Sequence, residues 1–305
     1  MVRANCEKLL TIVSVILLLS CQSVPQVTVN PSIDASSVPL ESGAAVYVLA
    51  DMREALPILE LLPVKELKDK QIKQMIDRTD FAAAAMFAKE SGKRFQIVTW
   101  GNYPANSVKM AFGFSKKWKK HRVKDAPYSY WHSSANGLSV ALNAKQAFVL
   151  ASVMPPPRMP AEPVTAPGRM TEIPGGFTEF RNNGEDAPLS CWFDDPAPFI
   201  NKLLQSSGLP MEIPAQELFI KMKMASGTQT VTAAIRIQFE STPQARGVTA
   251  VLGLAKNFSQ IDSNLLISKL LFANPPVQND RNIDILTAPL GEREISLLLE
   301  MFSLY

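Results

Sequence analysis

Hydrophobic residues recur along the chain in short blocks whose spacing switches between the two periods of regular backbone. Alternation marks strands, and a recurrence every three or four residues marks helices. Ala45–Leu49 reads as a strand, and Asp51 is placed to cap a helix that begins near Arg53. That helix carries Leu56, Ile58, Leu59, Leu61 and Leu62 and is ended or kinked by Pro63. A second helix is predicted over Lys65–Asp77, with Leu67, Ile72, Met75 and Ile76 on its apolar face. Phe81–Ala88 and Arg94–Trp100 then flank Glu90-Ser91-Gly92-Lys93, which reads as a hairpin turn. Residues Val108–Phe114 fit two templates. Val108, Met110, Phe112 and Phe114 alternate as in a strand, while Val108, Ala111, Phe112 and Ser115 share one helix face; Pro104 suits a first helical turn, so a helix is expected. Tyr128–Trp131, Leu138–Leu142 and Ala147–Ser152 read as a meander, with Asn136-Gly137 as its first turn.

The segment Val153–Pro188 breaks this rhythm. Its prolines (Pro155, Pro156, Pro157, Pro160, Pro163, Pro167 and Pro174) cannot sit in a ladder or a helix interior, so a long connector is expected. Beyond it the earlier order returns. Leu189–Phe193 is a strand, followed by Asp194-Asp195 as a cap and a helix over Pro196–Leu204. Glu217–Ala225 and Thr230–Glu240 flank Ser226-Gly227, and Ser241-Thr242-Pro243 opens a helix to about Phe258. A helix over Ile261–Phe272, a strand at Ile283–Leu286 and a helix over Leu290–Leu304, marked by Thr287 and Pro289, close the chain. The expected architecture is α+β, with two pseudo-repeated α/β units whose antiparallel sheets are covered by amphipathic helices. The units are 45–152 and 189–305, with 153–188 as the connector.

The first 20 residues follow a different logic. Arg3 and Lys8 precede an apolar stretch, Leu9–Leu19, that ends in Leu18-Leu19-Ser20-Cys21. This resembles the lipobox of bacterial lipoprotein precursors. The small Ser20 fits a protease subsite at the bilayer surface, and the Cys21 thiol accepts a diacylglyceryl group. The apolar stretch is only about half of the roughly 20 residues that a spanning helix needs, so an export signal fits better than an anchor helix. Residues 21–44, rich in Ser, Val and Pro, read as a flexible tether. The absence of Asp at Gln22 and Ser23 favours sorting to an outer membrane.

Composition narrows the function. The net charge of +3 in 305 residues argues against a nucleic-acid binder. Of three cysteines, Cys6 and Cys21 lie in or beside the leader. Cys191 therefore has no partner for an internal disulfide and reads as a small buried strand residue. The two histidines, His121 and His132, stand beside no marked nucleophile, and no metal-ligand motif or phosphate loop occurs. Asp194-Asp195 supplies too few ligands for calcium. Gly175-Gly176 lacks the strand-to-helix setting of a phosphate loop and reads as connector flexibility. No catalytic residue, metal or cofactor is expected.

Two features point to membrane lipids as partner. Lys116-Lys117-Trp118-Lys119-Lys120-His121-Arg122 is a basic run around an interface-favouring aromatic. A solvated loop with Trp118 packed on the core accounts for it equally well. The helices at 261–272 and 290–304 are apolar over most of their circumference, with Leu266, Leu270, Leu298 and Phe302 among the residues that either fill a core or enter one leaflet.

Lipobox, doubled α/β order and broad amphipathic helices together resemble a family of treponemal outer-membrane lipoproteins. The resemblance implies an α/β/α fold, membrane-inserting helices, lipid binding and a role in outer-membrane organisation or permeability without catalysis. Only Cys21 carries over as a functional residue. Gly101-Asn102-Tyr103-Pro104, Tyr130-Trp131 and Asn136-Gly137 also resemble bacterial domains of similar layout. The alternative expectation is a periplasmic scaffold that holds a protein partner or a small apolar ligand.

Overall fold

The computed structural model describes residues 40, 43–61, 76–87, 94–103, 105–122, 129–134, 137–142, 147–151, 176–177, 180, 187–206, 212–259 and 274–296. Backbone packing divides the chain into two compact units, the first ending at Thr178 and the second starting at Glu179, with Pro57–Pro63 counted in the second. The fold class is α+β, with antiparallel sheet and a few helices in the described residues.

In the first unit, strand β1 (Val46–Asp51) runs directly into helix α1 (Met52–Glu60). The Asp51 carboxylate accepts a hydrogen bond from the Arg53 backbone N–H at 3.1 Å, the N-cap expected from sequence. Strands β2 (Thr79–Phe87) and β3 (Arg94–Gly101) form the predicted hairpin, and helix α2 (Ala105–Phe114) comes next. The chain then enters a strand that periodicity did not reveal, β4 (Lys119–Arg122), before the meander β5 (Ser129–Ser133), β6 (Leu138–Leu142) and β7 (Ala147–Ala151). The pairing order is β1-β2-β3-β7-β6-β5-β4, antiparallel throughout. Helix α2 therefore carries the chain from β3 past three strands to the far edge, and the meander fills the space back.

Register sets two faces. One carries Ala83, Val98, Ala141, Tyr130 and His121; the other carries Ala84, Ile97, Val140, Trp131 and Lys120. The second face packs against α2 and the turn after it. Phe112, Trp118, Trp131, Leu138, Val140 and Leu142 form one buried cluster, with Phe95, Ile97 and Tyr103 against its margin. Phe112 meets Trp118 edge-on at 4.9 Å and stacks on Trp131 at 5.4 Å. At the start of the hairpin a bulge between Thr79 and Phe81 turns Asp80 out of register, where it pairs with Arg53. The Tyr103 hydroxyl bridges β2 and β3 through Thr79 at 2.7 Å and Thr99 at 2.8 Å.

The second unit holds β8 (Leu189–Asp194), helix α3 (Ala197–Ser206), β9 (Glu217–Met224), β10 (Val231–Gln238), helix α4 (Thr242–Ser259), β11 (Val277–Asn279) and β12 (Asn282–Leu286). Its strand order is β8-β9-β10-β12-β11, again antiparallel. Among the named elements, β1-α1-β2-β3-α2 and β8-α3-β9-β10-α4 follow one order, while the later elements differ. Leu218, Phe219 and Ile220 are buried in succession, so β9 is covered on both faces. Phe180 packs on Phe219 at 5.4 Å, and the cations of Lys221 and Arg236 lie over its ring at 5.0 and 5.2 Å.

Three local expectations need correction. Helix α3 takes its first backbone hydrogen bond on the Pro196 carbonyl, so Pro196 and not the acidic pair holds the cap position; Asp195 takes a left-handed φ of 45° and turns the chain from strand to helix. Residues 176, 177 and 180 are helical, and Phe177 and Phe180 are buried, so this end of the expected connector packs as core. Thr287 and Leu290 belong to the sheet's margin: Leu290 bridges Val231, and the Thr287 hydroxyl accepts from the Ala233 N–H at 3.0 Å. The last helix starts after Gly291, whose N–H donates to the Glu294 carboxylate at 2.9 Å. The helix expected at 65–77, as far as residue 75, lies outside the described residues, as do the helix at 261–272 and the part of the last helix after residue 296.

A side chain at Gly101 has no room, because a Cβ there would sit 2.0 Å from the Arg78 carbonyl oxygen. Gly101→Ala is expected to lower stability by roughly 1–3 kcal/mol, the cost of forced overpacking, seen as a lower urea midpoint at unchanged slope. Gly247→Ala meets no atom within 4 Å on helix α4 and should instead raise the midpoint slightly, by about 0.5–1 kcal/mol.

Candidate functional site

The basic run lies where α2 meets β4, and the two elements sort its side chains. The helical phase that buries Phe112 leaves Met110 and Phe114 outward, one turn apart. They are 56% and 81% exposed, a pair of large apolar side chains in water. Lys116 and Lys117 come next at the turn, both exposed. Trp118 then folds back to 7% exposure, so in this conformation it is a core residue, not an interfacial aromatic. Lys119, Lys120 and Arg122 are exposed along β4. The result is a surface on which an apolar helix end adjoins several cations, with no acidic residue between Lys109 and Lys124 in the sequence.

Two of these side chains lean back over the neighbouring strand. The Lys120 ammonium lies 5.9 Å from the Trp131 ring centre, and His121 stacks on Tyr130 at 5.2 Å. On the same face, His132 stands 6.2 Å from His121, edge to face. His132 Nδ1 lies 3.1 Å from the Ser139 hydroxyl. Sequence did not single out Ser139, since the contact is made across two strands. Ser139 is fully buried, so its oxygen cannot be reached by a substrate, and the pair reads as a satisfied interstrand contact. Partial burial lowers the His132 pKa from its ordinary 6.5, and the nearby charge of His121 lowers it further.

Elsewhere, Cys191 is buried and burial alone pushes its thiol up to about 12, the behaviour of an unreactive core residue. Among the described residues no helix is long and apolar enough to cross a membrane, and no group of three or more metal-ligating side chains forms. Cys21, Leu266, Leu270, Leu298 and Phe302 lie outside the described residues. Met110 and Phe114 were absent from the sequence-based contact residues. The signal was present: once 108–114 is a helix with Phe112 inward, positions 110 and 114 must face the other way.

A family model of the outer membrane-associated lipoprotein TP0453 matches residues 37–269. The chain belongs to that family. The treponemal TP0453 has itself been solved in several crystal forms that share this fold. Crystal form III is 16% identical, with a TM-score of 0.54 over 88% of this chain and 99% of that one. Form I is 15% identical, with a TM-score of 0.55 over 91% and 98%. Form IV is 15% identical, with a TM-score of 0.52 over 85% and 93%. A search of curated proteins finds no match. Membership in the TP0453 family makes the chain an outer membrane-associated lipoprotein of the cell envelope. The match starts beyond Cys21, so it bears on the folded part and not on the expected attachment at Cys21.

The His132 shift has a definite sign. Because the fold favours the neutral imidazole, the unfolded chain takes up the proton first, and this group's contribution to stability declines as pH falls below about 6.5. An NMR titration should place the His132 midpoint below 6.5 in the native protein and move it upward in His121→Gln, which removes the neighbouring positive charge.

Proposed function

We propose that the chain is a non-catalytic lipoprotein, tethered through acyl chains on Cys21 to the periplasmic leaflet of the outer membrane. Its folded part adds its own contact with that leaflet, binding lipid and affecting membrane organisation or permeability. One observation carries the reading: Phe114, 81% exposed, and Met110 sit at the end of α2 directly before Lys116 and Lys117. An apolar side chain in water beside cations is costly in solution and well matched to a bilayer. The ring and thioether enter the acyl boundary while the ammonium groups meet phosphate oxygens. Each lysine close to an anionic surface contributes about 1 kcal/mol, and a buried phenylalanine about 1.5–3 kcal/mol. Family membership supports the location, and the lipobox supports the tether. Leu266, Leu270, Leu298 and Phe302 extend the proposed contact on sequence grounds.

The test separates tether from surface. The full chain with Cys21→Ala, carrying no acyl group, is expected to co-sediment with phosphatidylglycerol vesicles, and less so at high salt. Adding Met110→Ser and Phe114→Ser should weaken that binding about tenfold or more, the equivalent of about 1.4 kcal/mol. A Cys21→Ala chain that stays in the supernatant would confine membrane association to the lipid and sink the surface contact.

A further inference from the structure

We propose that β4 is a docking edge for an acidic extended segment of another protein chain, which adds to the sheet as a further antiparallel strand. The proposal stands apart from the bilayer reading, because it concerns the backbone edge of β4 and not the apolar end of α2.

In the pairing order of the first unit β4 is terminal: among the described residues it pairs with β5 alone. A terminal strand turns alternate N–H and C=O groups outward, and those groups form a template for a further strand. Proteins commonly shield such an edge with lysines, and Lys119, Lys120 and Arg122 look at first like that device. The side-chain positions point to more than shielding. The two central side chains do not hang over the edge. Lys120 lies back across Trp131, and His121 stacks on Tyr130, both on β5 and on opposite faces of the sheet. Among the described residues, no strand pairs with the other side of β4.

Charge decides the occupant. Lys119, Lys120 and Arg122 are exposed, and Lys116 and Lys117 precede them on the same short stretch. A second copy of β4 would set like charges opposite one another, which disfavours self-pairing. A strand bearing carboxylates at alternate positions would instead set them all on one face, on the side of Lys120 and Arg122, while its backbone completes the outward hydrogen bonds. Sequence preference would be loose, since the backbone supplies the pairing and charge supplies the selection.

The experiment uses the full chain and a fluorescent synthetic peptide of alternating threonine and glutamate, followed by anisotropy and by amide hydrogen exchange. Binding is expected with slowed exchange at Lys119–Arg122. The same peptide N-methylated at alternate residues along its pairing edge keeps every charge but cannot pair, and should bind about tenfold or more weakly. A threonine–lysine peptide should not bind the native chain but should bind the charge-reversed Lys119→Glu, Lys120→Glu, Arg122→Glu variant. Equal binding of the N-methylated and unmodified peptides would overturn the proposal, since attraction would then be electrostatic without pairing. It would also be overturned if phosphatidylglycerol vesicles, and not the peptide, slowed exchange along β4, because the strand would then be a bilayer contact only. The vesicle assay of Met110 and Phe114 reports on a different element, so failure of either reading is visible separately.

Discussion

The outward surface of the first unit depends on one inward contact, the Phe112 ring held between Trp118 and Trp131. Phe112 is fully buried, and its two partners are 7% and 4% exposed. Truncating such a residue typically costs roughly 3–5 kcal/mol. Aromatic pairing adds about 0.5–1.5 kcal/mol per contact beyond area burial. A domain of ordinary stability has only about 5–15 kcal/mol in total, so this cluster accounts for a large share of the free energy that holds the far half of the sheet. It also ties α2 to the turn before β4 and to β5, where the chain arrives after α2 crosses from β3 to the opposite edge.

The same contact fixes two phases at once. On the helix, successive residues are turned by about 100°, so burying position 112 sends positions 110 and 114 outward. On the strand, burying Trp118 just before β4 leaves the next lysines on an edge with only one described neighbour. Apolar side chains and cations therefore emerge side by side, although neither the helix nor the strand is amphipathic in a way that would announce it. The second unit also exposes apolar side chains near a cation: Val251 and Leu254 are 44% and 61% exposed one turn apart on α4, with exposed Arg246 two turns before Leu254. There the cations Lys221 and Arg236 lie over Phe180.

Much of the fold was legible because its signals are local. Asp51 caps α1 as its position suggested, and the hairpin turns at Gly137 and Gly227 use positive φ values of 66° and 73°, which glycine adopts freely. Strand β4 was not legible, because Lys119-Lys120-His121-Arg122 has no hydrophobic alternation and only pairing with β5 makes it a strand. Strand β11 is three residues long and escaped for the same reason. Phe177 and Phe180 were hidden within a proline-rich stretch, where composition outweighed two aromatic side chains that tertiary contacts bury. The histidine contacts could not be foreseen either, since His121, His132 and Ser139 meet only through the register of three strands. The expected lipobox at Leu18–Cys21 lies outside the described residues, and Met110 and Phe114, proposed to touch a bilayer, could be named only after the helix phase was known.

The aromatic wedge, and not the local preference of the chain, holds α2 and β4 in the phase that builds the outward surface. Residue-resolved hydrogen exchange on Trp118→Ala measures this directly. Protection of the amides in α2 and β4 is expected to collapse while the β1–β2–β3 ladder keeps its own. If α2 and β4 retained native protection without the indole, the surface would not depend on the wedge, and its central role would be contradicted.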